Sequence, residues 1–549
     1  MDATGNEDEL DKLRPRDPSG SQPSTELRLR RVARTLGQNP PLINLIRQCY
    51  RNNVRDQSRL QRAERLLDHI RDQAAALPQD ELSALPDILY FSAQHRLAAE
   101  HGIVLPVYNV ALSYLDNVQL PWADLITGRP SPEPAKTWSL LGRSIGFPIG
   151  VPASALTANS FWLYFYARHG FNVLTYKTVR TRGHAGYEKP NWVLTPQADT
   201  PFPVETPFRR TIVADPDSWV PAGKGVSTVN SFGVPSSDPD EWKADIAEAQ
   251  RLLRSDQCLI VSVVGDIYQD SERTRRALIE DYVQAALHAE EAGAELIELN
   301  LSCPNSLDIS QRRMRDPVCF SVELTRDIVE AVRRRLDPDT KIIAKLAYLP
   351  KAKLAELIGS IGRYIDAVAG INTLQVSAIT SSNDYTFPGR PQAGLSGRAI
   401  ANYALEFVRN LSSLKVDLGY DYDIIGMGGV TNAESFKAMY DAGCTVVQSA
   451  TGSFANPRLA VECVEAFGTA LPFTAGMNDP GIKKKLTRSL LDLVEHAKGA
   501  TDKYALAAEM PVAPSLTYAV LDQMEEAGLL KKRSSRRGHR FYEIGSSVV

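Results

Sequence analysis

Eight short β-rich runs alternate with amphipathic helical stretches between residues 147 and 451, and this alternation constrains the fold more than any other feature. The runs are FPIGVPAS (147–154), NVLTYKTV (172–179), CLIVSVVG (258–265), LIELNLSCPN (296–305), KIIAKLAY (341–348), AVAGINT (367–373), DIIGMGGV (423–430) and TVVQSAT (445–451). Helical patterns such as DYVQAALHAEEAGA (281–294) and NAESFKAMYDAG (432–443) lie between most of them. Near-continuous apolar strands separated by helices are the mark of a parallel sheet covered on its faces. Eight such units in about 300 residues predict a (β/α)8 TIM barrel enlarged by insertions. A doubly wound open sheet is disfavoured, since no Gly-rich dinucleotide fingerprint follows an early strand.

The 549 residues exceed one barrel, so flanking regions are expected. Residues 1–25, polar and rich in Pro, Gly and Ser, read as a disordered tail. Residues 26–136 read as a helical extension, in which Leu60, Ala63, Leu66, Leu67 and Ile70 recur at helical spacing and Asp80 is a candidate N-cap. The proline-rich stretch 129–134 reads as a linker, and the barrel is expected over 137–475. Beyond it, 481–549 shows helices ending in a stripe of Leu516, Val520, Met524 and Ala527, closed by Gly528. A basic loop (531–540) and a last strand (541–544) follow. That order resembles a winged-helix domain.

Charge excludes little. Lys and Arg total 62 against 65 Asp and Glu, so no global basic excess points to nucleic acid. Six cysteines without a C-x-x-C pair argue against a zinc ribbon, an internal iron–sulfur cluster or a disulfide framework, and no metal is expected. The absence of an apolar leader or of any apolar run of 18 residues gives the expectation of a cytoplasmic protein.

In a barrel of this kind the active site lies at the C-terminal ends of the strands. Those ends are polar here: Ser154, Lys177, Asn300 to Asn305, Lys345, Asn372-Thr373 and Gly428-Gly429. Buried lysines and asparagines on separate strand ends are costly for a scaffold, which favours a functional reading over packing. Cys258, Cys319, Cys444 and Cys463 are read as inert buried thiols; Cys303, flanked by Asn300 and Asn305, is not.

ELNLSCPN, TYKTV, NSFGVPS, AKLAY, GINT, GLSG and IGMGGV together resemble the dihydroorotate dehydrogenase family in order and spacing over about residues 137–470. NLSCPN is the most specific element, because soluble class 1 members carry Cys there and the membrane-bound, quinone-using class carries Ser. The resemblance implies an FMN-dependent oxidation of dihydroorotate to orotate with Cys303 as base. A thiol titrating near about 8.5 is matched to neutral pH for that role. It further implies that Asn230, Asn300, Asn305, Asn372 and Thr373 hold the pyrimidine ring. The Phe232-Gly233-Val234 amides and Lys177 would receive its carboxylate. For FMN it implies Lys345 near the N1–O2 edge, contacts from Ser154, Lys177, Thr178, Asn300 and Ile371, and backbone N–H groups of Gly397, Gly428, Gly429, Ala450 and Thr451 near the ribityl phosphate.

Two departures stand out, of which the second bears on substrate. Ala153-Ser154-Ala155 stands where the family often has A-S-G, and 181–228, rich in Pro and Arg, is longer than expected and reshapes the mouth. A dihydropyrimidine dehydrogenase-like enzyme is therefore the runner-up. A flavin-linked DNA-binding regulator acting through the tail is the rival from another class, although Asp522, Glu525 and Glu526 on the would-be recognition helix favour a protein contact. A homodimer is expected, and the electron acceptor stays open.

Overall fold

The computed structural model describes residues 138–468, apart from 217, 219, 221–224, 268–274, 303–306, 309–312 and 315, with no side chain described from 303 to 315. Outside that range it describes 57–73, 113–118, 480–496, 501–502, 528–534, 540–544 and a few single positions. Cys303 and Asn305 lie outside the described residues, as do Cys49, Asp80, the tail 1–25 and the stretch 129–134.

All eight predicted strands form, and they close into one parallel barrel in sequence order. They are β1 (Ile149–Val151), β2 (Val173–Val179), β3 (Cys258–Val263), β4 (Leu296–Asn300), β5 (Lys341–Leu346), β6 (Ala367–Gly370), β7 (Asp423–Met427) and β8 (Val446–Gln448). Burial explains their composition: every residue of β2, β4, β6 and β8 is buried, so apolar residues dominate them. Each strand is followed by a covering helix: α1 (Ser160–Arg168), α2 (Pro239–Leu252), α3 (Arg275–Glu291), α4 (Val322–Arg335), α5 (Lys351–Ile361), α6 (Ala401–Leu418), α7 (Ala433–Asp441) and α8 (Leu459–Phe467). Local chemistry sets several helix ends. Asn159 caps α1 by accepting from Trp162 N at 3.0 Å, Asn432 caps α7 by accepting from Ser435 N at 2.9 Å, and Gly419 ends α6 at φ +63°.

The two insertions in the barrel build a feature that the periodicity did not foretell. Strands Trp192–Leu194, Ser227–Asn230 and Thr211–Val213 leave the β2–α2 connection and meet Leu374–Ile379 and Gln392–Gly397 from the β6–α6 connection, forming one five-stranded sheet. Each strand is short, and its partner is remote in sequence; Asn230 faces Gly394 across the ladder. At the other end, a hairpin (Trp138–Leu140 with Arg143–Ile145) buries Trp138, Leu140 and Ile145, and the adjoining Phe147 stacks on Phe436 at 5.3 Å.

Of the N-terminal region, a helix spans Gln57–Gln73 and buries Ala63, Leu66, Leu67 and Ile70. Of the C-terminal region, a helix spans Pro480–His496. Strands Leu530–Ser534 and Arg540–Ile544 pair as a hairpin, with Thr501–Asp502 on the outer edge of the second. The further helices expected in 481–549, with the stripe of Leu516, Val520, Met524 and Ala527, lie largely outside the described residues.

Candidate active site

One cavity opens at the C-terminal ends of the barrel strands, and almost every residue singled out from sequence lines it. Ser154 comes from the end of β1, Lys177 and Thr178 from β2, Asn300 from β4 and Lys345 from β5. Ile371, Asn372 and Thr373 follow β6, Gly428 and Gly429 follow β7, and Ala450 and Thr451 follow β8. The five-stranded sheet adds Asn230 and Gly397, and Phe232 and Val234 complete the wall. Gly233, between the lining residues Phe232 and Val234, is the described exception. Trp192, Ser396, Met427 and Ser449 also line the cavity and were not singled out. Of these, Trp192 carries no sequence signal, because only the inserted sheet brings it there.

A chain of hydrogen bonds fixes the polar side chains. Asn372 Nδ2 donates to Ser302 Oγ at 2.9 Å, and Ser302 Oγ donates to Asn300 Oδ1 at 3.0 Å. Asn300 Nδ2 donates to Thr178 Oγ1 at 3.1 Å, which lies 3.0 Å from Ser262 Oγ deeper in the barrel. Each asparagine amide is therefore locked in one orientation, and the backbone just before position 303 is held by Ser302. A second cluster joins Trp192 Nε1, Thr228 Oγ1, Ser396 Oγ and Thr451 Oγ1 at 2.7, 2.8 and 3.0 Å in turn.

Lys345 and Glu298 are the charged pair of the barrel interior, 3.3 Å apart with 3% and 1% of their side chains exposed. Glu298 Oε2 finds no hydrogen-bond partner among the described residues. Among the described residues, the nearby ammonium is what offsets its removal from water. Lys345 lines the cavity, so this pair places a buried positive group in the wall.

The N-terminal region reaches the same wall. Val107 N donates to Phe454 O at 2.9 Å, and the Tyr108 ring lies 5.5 Å from Trp192 and 6.1 Å from Phe232. Tyr114 packs edge-on against Phe232 at 6.0 Å. Residues far outside the barrel thus support two of its cavity-lining aromatics. The four cysteines read as inert are free and buried, and burial pushes the Cys258 and Cys319 thiols up to about 12. No cluster of three or more His, Cys, Asp or Glu able to hold a metal occurs among the described residues.

A (β/α)8 barrel with its polar residues gathered at the strands' C-terminal ends has the architecture of an enzyme. Its relatives in sequence narrow that class to a family. Residues 219–471 match the family model for dihydroorotate dehydrogenase. The dihydroorotate dehydrogenase of Dictyostelium discoideum is 28% identical over 66% of this chain and 98% of its own length. The catalytic subunit of dihydroorotate dehydrogenase B (NAD(+)) of Alkaliphilus oremlandii is 30% identical over 43% of this chain and 70% of that one. Among solved structures, dihydroorotate dehydrogenase of Eimeria tenella in complex with ferulenol gives a TM-score of 0.46 at 16% identity, over 62% of this chain and 86% of that one. The chain belongs to the dihydroorotate dehydrogenase family, whose members are FMN-dependent oxidoreductases.

The residues present fit FMN. Gly397 and Gly429 take φ of +88° and +78°, and a Cβ on either would meet neighbouring atoms at 2.3 or 2.4 Å, so the wall holds bare backbone there. Such backbone permits the close approach that a phosphate requires. Among the described residues, no helix is long and apolar enough to cross a membrane.

Proposed function

We propose that the protein oxidises dihydroorotate to orotate, a step of pyrimidine biosynthesis, as a class 1 type enzyme with Cys303 as base. The carrying observation is the convergence of Lys177, Asn230, Asn300, Asn372, Thr373 and Lys345 on one cavity from four barrel strands and an inserted sheet. Asparagine amides present a donor and an acceptor each, which suits a ring edged with carbonyl and N–H groups. The Lys177 ammonium and the backbone amides of residues 232–234 are assigned to the substrate carboxylate. Lys345 is assigned to the FMN N1–O2 edge, with Ser154, Thr178 and Ile371 along the ring. Gly397, Gly428, Gly429, Ala450 and Thr451 are assigned to the phosphate.

In this mechanism the Cys303 thiolate takes the proton from one ring carbon, and a hydride leaves the adjacent carbon. When bound, FMN supplies the two-electron acceptor for that hydride at its N5. Ser302, held between Asn300 and Asn372, fixes the chain leading to Cys303. The reading extends to a homodimer, a cytoplasmic setting and residues 481–549 as a protein-docking module of winged-helix type. Lys532 of that hairpin is already paired with Glu525 at 3.3 Å, which favours a protein partner over DNA phosphates.

The test is anaerobic mixing of the FMN-loaded protein with dihydroorotate while flavin absorbance is followed. Bleaching is expected, and Cys303→Ser should slow it by about 10²–10⁴-fold without loss of FMN. Bleaching by dihydrouracil but not by dihydroorotate would make the dihydropyrimidine dehydrogenase-like alternative correct.

A further inference from the structure

The segment Phe232-Gly233-Val234 has its carbonyls turned away from the cavity and held there. Phe232 O accepts from Tyr187 N at 2.9 Å. Gly233 O accepts from Arg180 Nη2 at 3.1 Å, and Val234 O accepts from Arg180 Nε at 2.9 Å. The remaining guanidinium nitrogen, Nη1, is ion-paired with Asp266, and the Arg180 side chain is 3% exposed. One planar fork thus grips two consecutive carbonyls, which a lysine ammonium cannot reproduce in the same plane.

The grip matters because the backbone here is unusual. Gly233 lies at φ +75° and Val234 at φ +56°. A β-branched residue in the left-handed region is held there only when its surroundings over-determine it. In a trans peptide the N–H points opposite to the C=O. With the carbonyls of 232 and 233 drawn into the protein, the N–H groups of Gly233 and Val234 are turned the other way. Neither finds an acceptor among the described residues, and Phe232 and Val234 line the cavity. Two adjacent N–H donors facing a cavity form an anion-binding concavity. Since Asp266 balances the charge of Arg180, the arginine contributes geometry, while Lys177 in the same wall supplies the positive charge.

We propose that Arg180, with Asp266, is a positioning residue that shapes the 232–234 turn into a carboxylate cradle and so makes the site selective for a pyrimidine bearing a carboxylate. Arg180 touches neither ring nor flavin in this scheme. It acts through the turn, and the inference rests on the substrate reading proposed above.

The experiment uses the FMN-loaded full chain and two variants. R180K keeps the charge opposite Asp266 but loses the fork, and R180Q/D266N removes both charges so that no buried ion is left unpaired. Orotate affinity is read from the flavin absorbance change, alongside kcat and KM for dihydroorotate and the FMN content. Both variants are expected to weaken orotate binding and raise KM by about ten- to hundredfold, the worth of one or two hydrogen bonds to a charged group. Their kcat at saturation should stay within about threefold of wild type, with FMN content unchanged. Orotate affinity within about threefold of wild type in both variants would overturn the inference. So would loss of FMN from both, or a fall in kcat matching the rise in KM, because Arg180 would then be a general folding residue. A wild-type protein that dihydroorotate does not bleach would fail the proposed function and take this inference with it. A bleached wild type with unaffected variants fails the inference alone.

Discussion

Replacing Lys345 with methionine should be among the most damaging single changes in the barrel, for a reason separable from catalysis. Lys345 Nζ lies 3.3 Å from Glu298 Oε1, and both side chains are almost fully buried. At that separation two unit charges attract by about 5 kcal/mol at an effective dielectric of about 20. Because Glu298 Oε2 has no hydrogen-bond partner among the described residues, nothing nearby takes over from the lysine. Breaking a buried pair from one side typically costs about 3–5 kcal/mol, a large part of a domain's whole stability of about 5–15 kcal/mol. Removing both charges at once should cost far less, since a buried pair replaced by apolar groups of similar volume is often neutral. The assay is urea unfolding at pH 7 of wild type, K345M, E298M and E298M/K345M, followed by circular dichroism, with FMN content measured on each. K345M should lose at least about 3 kcal/mol, and the double variant should return to within about 2 kcal/mol of wild type. The double variant should still take up FMN poorly, because the charge proposed to face the flavin is gone. A K345M protein within about 1 kcal/mol of wild type, or a double variant no better than the single, would refute the reasoning.

Gly429→Ala should destabilise the protein by about 2–5 kcal/mol, combining left-handed backbone strain with overpacking, because its Cβ would meet the Ala401 Cβ at 2.4 Å; the urea midpoint and FMN stoichiometry should fall together. Acid sensitivity should come in part from His169, whose imidazole is lowered to about 4, chiefly by burial, with Arg458 and Arg168 adding to the effect. Its folded value lies below the unfolded value near about 6.5, so its contribution is present above that pH and is lost as pH falls towards about 4. The loss is about 1.4 kcal/mol per pH unit. His169→Gln should flatten the stability profile between pH 6.5 and 4, and an unchanged slope would remove His169 as its source. Residue His184, also lowered to about 4 by burial and then by Arg180, should leave a residual slope in that variant.

The barrel was legible in the sequence because its signal is local. Strands buried on both faces must be mostly apolar, and covering helices must be amphipathic, so eight such units declare themselves residue by residue. The strand-end polar residues were legible for the same reason: a lysine such as Lys345, or an asparagine such as Asn300, is conspicuous at the end of an apolar run. The inserted sheet was not, since Trp192–Leu194 and Thr211–Val213 are three residues long, and their partners lie elsewhere in the chain. Arg180 carries no sequence signal, because an arginine just after a strand reads as surface charge. Only the folded chain shows its guanidinium buried against Gly233 and Val234. Likewise Tyr108 and Tyr114 belong by sequence to a helical extension, yet packing puts them against Phe232 and Trp192. The sequence by itself determined the barrel, its strand order and the residue types at its mouth, because periodicity and strand-end position depend on near neighbours. Tertiary structure alone decided what orients those residues: the Lys345–Glu298 pair, the Asn300–Ser302–Asn372 chain and the grip of Arg180 each join groups from separate barrel strands or their loops. Such contacts depend on long-range closure, which no local pattern encodes.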